Sequence, residues 1–279
     1  QTSREAFDNS IAQFSTMMNN KAKEIGCTNT NFVNPNGIYN DNHYSTAYDL
    51  ALIGKYAYEN AIIKSIGSKA SYDLPKNENH PTYTSTNALL RSTHRYYYEY
   101  ANGLKTGYTD AAGYCIIATA SKDGIDLICV ILKGSYLADG TATRETDCIN
   151  LFNYGFDNYK SVNLVSEGDV VRTIDVLNGT EDTKKLDVTA VTTLNCVVFT
   201  DEVVDVTPVI QFNSVLAPIA EGQVVGSITY TVDGVDYKSD LIATHDVYSS
   251  NVMNIILALF AVFAVLLVIV TALSIKKKD

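Results

Sequence analysis

A strand, turn and strand pattern in the middle of the chain constrains the fold more than any other feature of the sequence. Across residues 113–133, two β-rich runs flank Asp123-Gly124, a dipeptide that is typical of tight hairpin turns. The first run, residues 114–119, is apolar and rich in residues that favour strands, which indicates a buried strand. The sequence therefore predicts an antiparallel hairpin that contributes to a hydrophobic core.

Candidate substrate-binding residues precede this hairpin. Lys105, Thr106, Gly107 and Tyr108 lie where a turn-rich segment, marked by Asn102-Gly103, passes into the first strand. Lys105 brings a positive charge and Thr106 a hydroxyl group for a carboxylate, while Gly107 lets a substrate backbone come close and the amide of Tyr108 can point at a developing oxyanion. This pattern suits an anionic, peptide-like substrate laid along a sheet edge. The alternative is an ordinary turn before a strand, because three such residues also occur together by chance.

Helical patterns lie on both sides of these strands. The first helix carries an apolar stripe, and the Phe and Met residues on it are predicted to be core. The stripe consists of Phe7, Ile11, Phe14, Met18, Ala22 and Ile25. Ser45 and Thr46 are expected to start a second helix, and a short helix around residues 61–66 continues it. Residues 71–95 are predicted to form loops with brief strands. A later helix carries Arg144, Ile149, Phe152 and Phe156.

The character of the chain changes after about Asp157. Alternating segments at residues 188–191, 196–199, 224–230 and 237–242 are separated by Gly, Asp and Asn turns, a pattern typical of an all-β module. We therefore predict a first domain at residues 1–156 and a β-sandwich domain at residues 157–248. No catalytic group of residues is apparent in the second domain, which we interpret as a spacer or docking module.

Charge and cysteine usage exclude several classes of function. The formal net charge is −10, and no basic patch stands out, so nucleic acid is not an expected partner. Five cysteines lie far apart without a C-x-x-C pair, and the histidines form no H-E-x-x-H motif, so neither a zinc site nor a cofactor is predicted. Cys115 and Cys129 are interpreted as small core residues, and one disulfide is left open.

An uncharged, apolar run closes the chain. Residues 252–275 exceed the roughly 20 residues that a bilayer-spanning helix needs, and three lysines follow directly. The positive-inside rule then predicts a transmembrane helix at 252–275, a cytoplasmic tail at 276–279 and an extracytoplasmic bulk. Gln1 leads directly into a helical pattern without an export signal, so we expect the true N-terminus to lie further upstream.

Four segments together resemble a known family: residues 32–57, 103–124, 143–156 and 216–234. Lys105-Thr106-Gly107 matches the K-T-G motif of penicillin-binding proteins and serine β-lactamases. The segments around it are similar to the low-molecular-weight D-alanyl-D-alanine carboxypeptidases, and the last segment resembles the C-terminal β domain of that family. The appended β module and the predicted membrane anchor favour the carboxypeptidases over the β-lactamases.

The resemblance implies an α+β fold with a β-lactamase/transpeptidase-like domain, N-terminally incomplete, followed by the β sandwich and one transmembrane helix. It implies a serine-type hydrolase that removes the terminal D-Ala of peptidoglycan stem peptides through an acyl-enzyme. β-Lactam antibiotics would be inhibitors, and the bacterial cell membrane would be the location. Lys105, Thr106, Gly107 and Tyr108 would then bind substrate, and Arg144 would help to hold its terminal carboxylate. A solvated charge near a helix N-terminus is the alternative for Arg144.

The chain departs from the family pattern at the nucleophile. Only Ser274 has a lysine three residues later, and it lies at the end of the apolar run. The S-x-N matches at Ser85, Ser161 and Ser249 all follow the helix that should follow this motif. We therefore expect both motifs upstream of Gln1, no catalytic residue within the chain, and an inactive fragment. The alternatives are a non-catalytic, membrane-anchored, cell-wall-binding pseudoenzyme and an anchored β-rich adhesion module.

Overall fold

The structure, a computed structural model, describes residues 3–74, 82–213, 215–250 and 258–266. The chain divides into two compact units, Gln1–Lys160 and Ser161–Asp279. The sequence-based domain boundaries at residues 156 and 248 remain a proposal.

In the described residues of the first unit the α-helices are α1 (Ser3–Glu24), α2 (Ala47–Glu59), α3 (Ala61–Gly67) and α4 (Thr143–Asn158). Side-chain caps explain where two of them begin. The hydroxyl of Thr46 accepts the backbone N–H of Asp49, and the side chain of Asn60 accepts the N–H groups of Ile62 and Ile63. Such caps satisfy backbone donors that have no partner inside the first helical turn. The predicted starts of α2 and of the short helix after it are confirmed.

The strands of the first unit are β1 (Ser71–Asp73), β2 (Thr82–Thr84), β3 (Ala101–Thr109), β4 (Gly113–Lys122) and β5 (Ile125–Gly134). The last three form an antiparallel sheet in the order β3-β4-β5. Asp123 and Gly124, with φ of 51° and 77°, make the β4–β5 turn, since hairpin turns of this kind need positive φ at both central residues. The predicted hairpin is confirmed, and β3 adds an edge strand on one side of it.

Helix α4 covers this sheet and completes a core. The side chain of Phe152 is 1% exposed and stacks on Tyr98 with ring centroids 5.7 Å apart. Buried partners from the sheet are Ile116, Ala118, Ala120 and Cys129. Burial of this apolar surface is the main driving force that holds α4 against β4 and β5.

The expectation for α1 is wrong in part. Phe7 and Phe14 are 63% and 50% exposed, and within the part of the chain that the structure describes α1 buries Ser15 and Ala22. Helical periodicity identifies an apolar face, but it does not specify what covers that face.

Strands make up most of the described residues of the second unit, and the first of them begins two residues before the unit boundary. They are β6 (Tyr159–Val165), β7 (Val170–Asp175), β8 (Lys185–Ala190), β9 (Leu194–Phe199), β10 (Val209–Phe212), β11 (Val224–Val232) and β12 (Val235–Ala243). A five-stranded sheet has the order β10-β11-β12-β8-β7, and β6 pairs with β9. Alternate residues of β8, such as Leu186 and Val188, are fully buried, as expected for a sheet with one face on a core. The predicted β-rich module is confirmed.

Two further predictions have different outcomes. Cys129 is a buried core residue, whereas Cys115 is partly exposed. The next residue, Ile116, packs in the core with α4, so alternation along β4 turns Cys115 to the opposite face of the sheet. Of the predicted transmembrane segment 252–275, residues 258–266 are helical, and the rest lies outside the described residues, as does the tail 276–279. No described helix is long and apolar enough to cross a bilayer.

Gly226 in β11 gives a stability prediction. A Cβ atom at this position would lie 2.4 Å from the backbone oxygen of Gln211 in the neighbouring strand β10, so Gly226→Ala forces two strands apart. We expect this variant to lose about 1–3 kcal/mol of unfolding free energy, the usual cost of overpacking. Gly107→Ala is the matched control, since a Cβ there meets no described atom within 4 Å. Urea unfolding followed by circular dichroism measures both, and equal stability of the two variants would contradict the close approach.

Candidate functional site

The K-T-G residues lie on a strand at the edge of a sheet. Residues 105–108 belong to β3, where Thr106 lies opposite Ile116 and Tyr108 opposite Tyr114 of β4. The other side of β3 has no partner strand among the described residues. An edge strand presents unpaired backbone N–H and C=O groups to any extended peptide that approaches it.

Thr106 and Lys105 point in different directions because neighbouring side chains alternate along a strand. Thr106 is buried, and its hydroxyl lies 2.5 Å from the hydroxyl of Thr86. The adjacent Asn87 donates its side-chain N–H to the carbonyl of Gly103 at 2.9 Å. These contacts fix the segment around Thr86 against β3, so the Thr106 hydroxyl has a defined orientation.

Lys105 is exposed, and its ammonium group donates to the carbonyl oxygen of Thr106. It borders two cavities of about 570 and 430 Å³. We name them the α3 cavity and the asparagine-loop cavity. The first is lined with Ile66, Tyr72, Tyr83, Thr86 and Leu104. The second is lined with Met18, Phe32, Asn34, Ile38, Tyr39 and His43.

The asparagine loop, residues 34–38, is held by its own side chains. Asn34 accepts the N–H of Gly37 at 2.8 Å and donates to the carbonyl of Ile38 at 2.8 Å. Beside it, burial lowers the pKa of His43, and His43 Nδ1 accepts the N–H of Val33 at 3.3 Å. A neutral imidazole with an accepting Nδ1 fits this environment. The loop therefore provides a fixed wall opposite β3.

Gly107 and Tyr108 leave room along the strand. Gly107 faces open space, because a Cβ atom at this position would meet no described atom within 4 Å. Tyr108 is 55% exposed and donates its hydroxyl proton to Asp110 at 2.7 Å, a hydrogen bond that raises the pKa of the phenol. The Tyr108 ring therefore lies beside the exposed strand edge without filling the space over Gly107.

Arg144 reaches the same end of the sheet from helix α4. Its guanidinium carbon lies 5.6 Å from the ring centroid of Tyr114, and the Tyr114 ring lies 4.4 Å from that of Tyr108. Tyr114 therefore connects Tyr108 and Arg144. The Arg144 side chain is 12% exposed and donates Nε–H to Glu145 at 2.9 Å. The interpretation of Arg144 as a solvated surface charge is wrong.

Sequence reasoning missed Thr86 and Tyr114, which organise this site. Thr86 is the middle residue of the rejected S-x-N match at Ser85, and Tyr114 belongs to no motif. The β3–β4 register places Tyr114 opposite Tyr108, and the contact between hydroxyl groups places Thr86 beside Thr106. Within the described ranges, no group of three His, Cys, Asp or Glu residues could hold a metal ion. The arrangement can bind an extended anionic chain, but it contains no serine paired with a lysine at S-x-x-K spacing.

The α+β unit with this edge strand and the β-rich unit after it define a transpeptidase-like protein with an appended β domain. Comparisons with known proteins agree. Residues 5–135 match the family model of D-alanyl-D-alanine carboxypeptidase, and residues 159–251 match that of the C-terminal domain of penicillin-binding protein 5. The chain belongs to the D-alanyl-D-alanine carboxypeptidase family of low-molecular-weight penicillin-binding proteins.

Individual relatives extend the match over most of the chain. D-alanyl-D-alanine carboxypeptidase DacF of Bacillus subtilis is 30% identical over 82% of this chain and 57% of its own length. Penicillin binding protein 5 of Haemophilus influenzae has a TM-score of 0.54 at 26% identity, covering 85% of this chain and 67% of that one. A peptidoglycan synthesis regulatory factor of Streptococcus pneumoniae shares the fold, with a TM-score of 0.71 at 23% identity over 87% of this chain and 72% of that one. The chain spans little more than half the length of the curated relatives it matches.

Proposed function

We propose that this chain provides the substrate-binding wall of a serine-type D-Ala-D-Ala carboxypeptidase that removes the terminal D-Ala of peptidoglycan stem peptides. The observation that carries the proposal is the open edge of β3, along which Lys105, Thr106, Gly107 and Tyr108 are arranged beside two cavities. A peptide laid antiparallel along this edge gains backbone hydrogen bonds, as in other cases of strand addition.

Each residue has a role that its geometry allows. Lys105 supplies a positive charge for the peptide's terminal carboxylate. Thr106 lines the same two cavities as Lys105, and its hydroxyl donates to the carboxylate while it accepts the proton of Thr86. The absence of a side chain at Gly107 admits the peptide backbone, and the amide of Tyr108 stabilises the oxyanion of the tetrahedral intermediate. Arg144 is ion-paired with Glu145, so it would help to hold the terminal carboxylate through the guanidinium N–H groups that Glu145 leaves free.

The acyl-enzyme reaction needs more than this wall. A hydroxyl group must attack the carbonyl of the penultimate D-Ala while a neighbouring base takes its proton. In the family the serine and lysine of S-x-x-K and the serine of S-x-N supply these groups, and this sequence contains neither motif in a suitable place. We propose that Lys105 to Tyr108 act together with such a nucleophile rather than supplying one.

The surroundings of the site complete the proposal. β-Lactams, which resemble an acylated D-Ala-D-Ala peptide, would act as inhibitors. The apolar run at residues 252–275, followed by three lysines, supports a single membrane anchor with the bulk outside the cell. The second unit would be a β sandwich that holds the binding wall away from the membrane.

A second function is a non-catalytic, membrane-anchored pseudoenzyme that binds the cell wall. The open edge of β3 and its cavities support it as well, because they can bind a stem peptide without cleaving it. Both functions share the binding edge, and they differ in whether a nucleophile joins it.

Lys105→Ala tests the shared binding edge. A charge-assisted hydrogen bond contributes about 1.5–3 kcal/mol, so we expect the affinity for a stem peptide ending in D-Ala-D-Ala to fall at least about tenfold. Calorimetric titration of the full chain in mild detergent measures this. Lys55→Ala, at an exposed lysine of α2, is the control and should keep the original affinity. An unchanged affinity in folded Lys105→Ala would remove the assignment.

A further inference from the structure

Two buried cysteines face each other between helix α4 and strand β5. The Sγ atoms of Cys129 and Cys148 are 3.6 Å apart. Cys129 is 5% exposed and Cys148 is fully buried, and both belong to the same core as Phe152. Each residue sits on a regular element, so their facing positions follow from the packing of α4 on β5 rather than from a loop.

The other cysteines have different neighbours. The thiol of Cys27 donates to the carbonyl of Asp49, and that of Cys115 to the carbonyl of Ala112. Cys196 packs in the second unit with Val198 and Val232. Among the residues that the structure describes, Cys129 and Cys148 are the thiols recorded in contact with each other.

We propose that Cys129 and Cys148 form an internal disulfide under oxidising conditions, one that ties helix α4 to strand β5. The reaction breaks two S–H bonds and forms one S–S bond. The two protons and two electrons pass to an organic disulfide such as oxidised glutathione, which becomes two thiols. A disulfide has an S–S distance of about 2.05 Å, so the two sulfurs, 3.6 Å apart in the structure, must move closer together to bond.

Burial determines when this bond forms. The hydrogen bond between the two thiols raises the pKa of Cys148 and lowers that of Cys129, so Cys129 is the thiol that attacks an oxidant first. Both sulfurs lie in the core, however, where a bulky oxidant cannot reach them. The bond therefore forms during folding, while the thiols are still accessible and before α4 closes over the sheet.

The bond would also hold Arg144 in place. Arg144 lies one helical turn before Cys148 on α4, and its guanidinium packs on Tyr114 of the sheet. A covalent link on the same helix opposes local opening of α4 and so keeps this contact formed. The disulfide itself follows from the core geometry and holds whether or not the proposed function is correct.

Thiol counting tests the proposal directly. The reduced, denatured chain is refolded in a glutathione buffer rich in the oxidised form, acid-quenched, denatured and alkylated, and its intact mass is measured. The chain has five cysteines. If two of them are joined, three thiols remain to be alkylated, whereas a fully reduced sample takes five alkyl labels. Digestion without reductant should give one linked peptide that contains Cys129 and Cys148.

Two alanine variants separate this pair from any other. Cys148→Ala leaves four thiols and should take four labels after the same refolding. Cys196→Ala also leaves four thiols but keeps the pair, so it should take two labels. Five labels on the refolded original chain, or a linked peptide that joins other cysteines, would overturn the assignment. The peptide map needs no variant, so it decides the matter even if Cys148→Ala fails to fold.

Discussion

A fluorescent penicillin is expected to leave the purified 279-residue chain unlabelled on a denaturing gel. Covalent labelling requires a serine hydroxyl beside a base and within reach of oxyanion donors. Lys105 and the Tyr108 amide provide charge and a donor, but electrostatic stabilisation without a nucleophile gives no acyl-enzyme. The described structure places no serine and lysine at S-x-x-K spacing near β3. We therefore expect no labelled band at all, rather than a faint one.

A penicillin-binding protein that has an S-x-x-K motif serves as the positive control for the dye and the gel. The chain should be tested over a range of penicillin concentrations, because a slow acylation would appear first at the highest one. A labelled band whose modified peptide contains any serine of this chain would show that the nucleophile lies within it and that the site is misplaced.

Phe152→Ala is expected to destabilise the first unit by about 3–5 kcal/mol, the usual cost of removing a buried phenylalanine. Phe152 is 1% exposed, stacks on Tyr98 and lies 6.5 Å from the ring of Phe156. Its removal leaves a cavity between α4 and the sheet that these large rings cannot easily fill. Urea unfolding followed by circular dichroism gives the size of the loss, and hydrogen exchange of peptides from α4 and β5 assigns it to this unit.

Tyr154→Ala on the same helix is the matched control. Its side chain is 58% exposed, and exposed substitutions usually change stability by less than about 0.5 kcal/mol. If Phe152→Ala costs no more than Tyr154→Ala, the α4–sheet core described here is wrong.

Local sequence signals predicted the elements whose causes are local. The Asp123-Gly124 turn needs positive φ at two positions, and the Thr46 cap needs one hydroxyl and one N–H, so both could be predicted from a few neighbouring residues. Strand β3 was predicted as a turn-rich approach because Asn102, Gly103 and Gly107 are weak strand formers. Pairing with β4 overrides that preference, and pairing is a tertiary effect.

The site residues also divide into those that local sequence identifies and those that only tertiary contacts reveal. A motif identified Lys105, Thr106, Gly107 and Tyr108, and a family resemblance identified Arg144, but neither shows what holds these residues. Thr86 contacts Thr106 although the two are 20 residues apart in the sequence. Tyr114 contacts Arg144 because Arg144 lies on helix α4, which packs on the sheet. The exposed Phe14 was predicted to be buried for the same reason, since periodicity does not reveal a partner.

The central claim is that the open edge of β3 binds the carboxylate end of a D-Ala-D-Ala peptide. Hydrogen exchange measured by mass spectrometry tests it most directly, because strand addition protects backbone amides at the edge. The full chain is compared with a saturating stem peptide and with the same peptide amidated at its C-terminus. We predict slower exchange in peptides that cover Ala101–Thr109 with the free carboxylate and little change with the amide. Equal protection by both peptides, or protection confined to other segments, would contradict the claim.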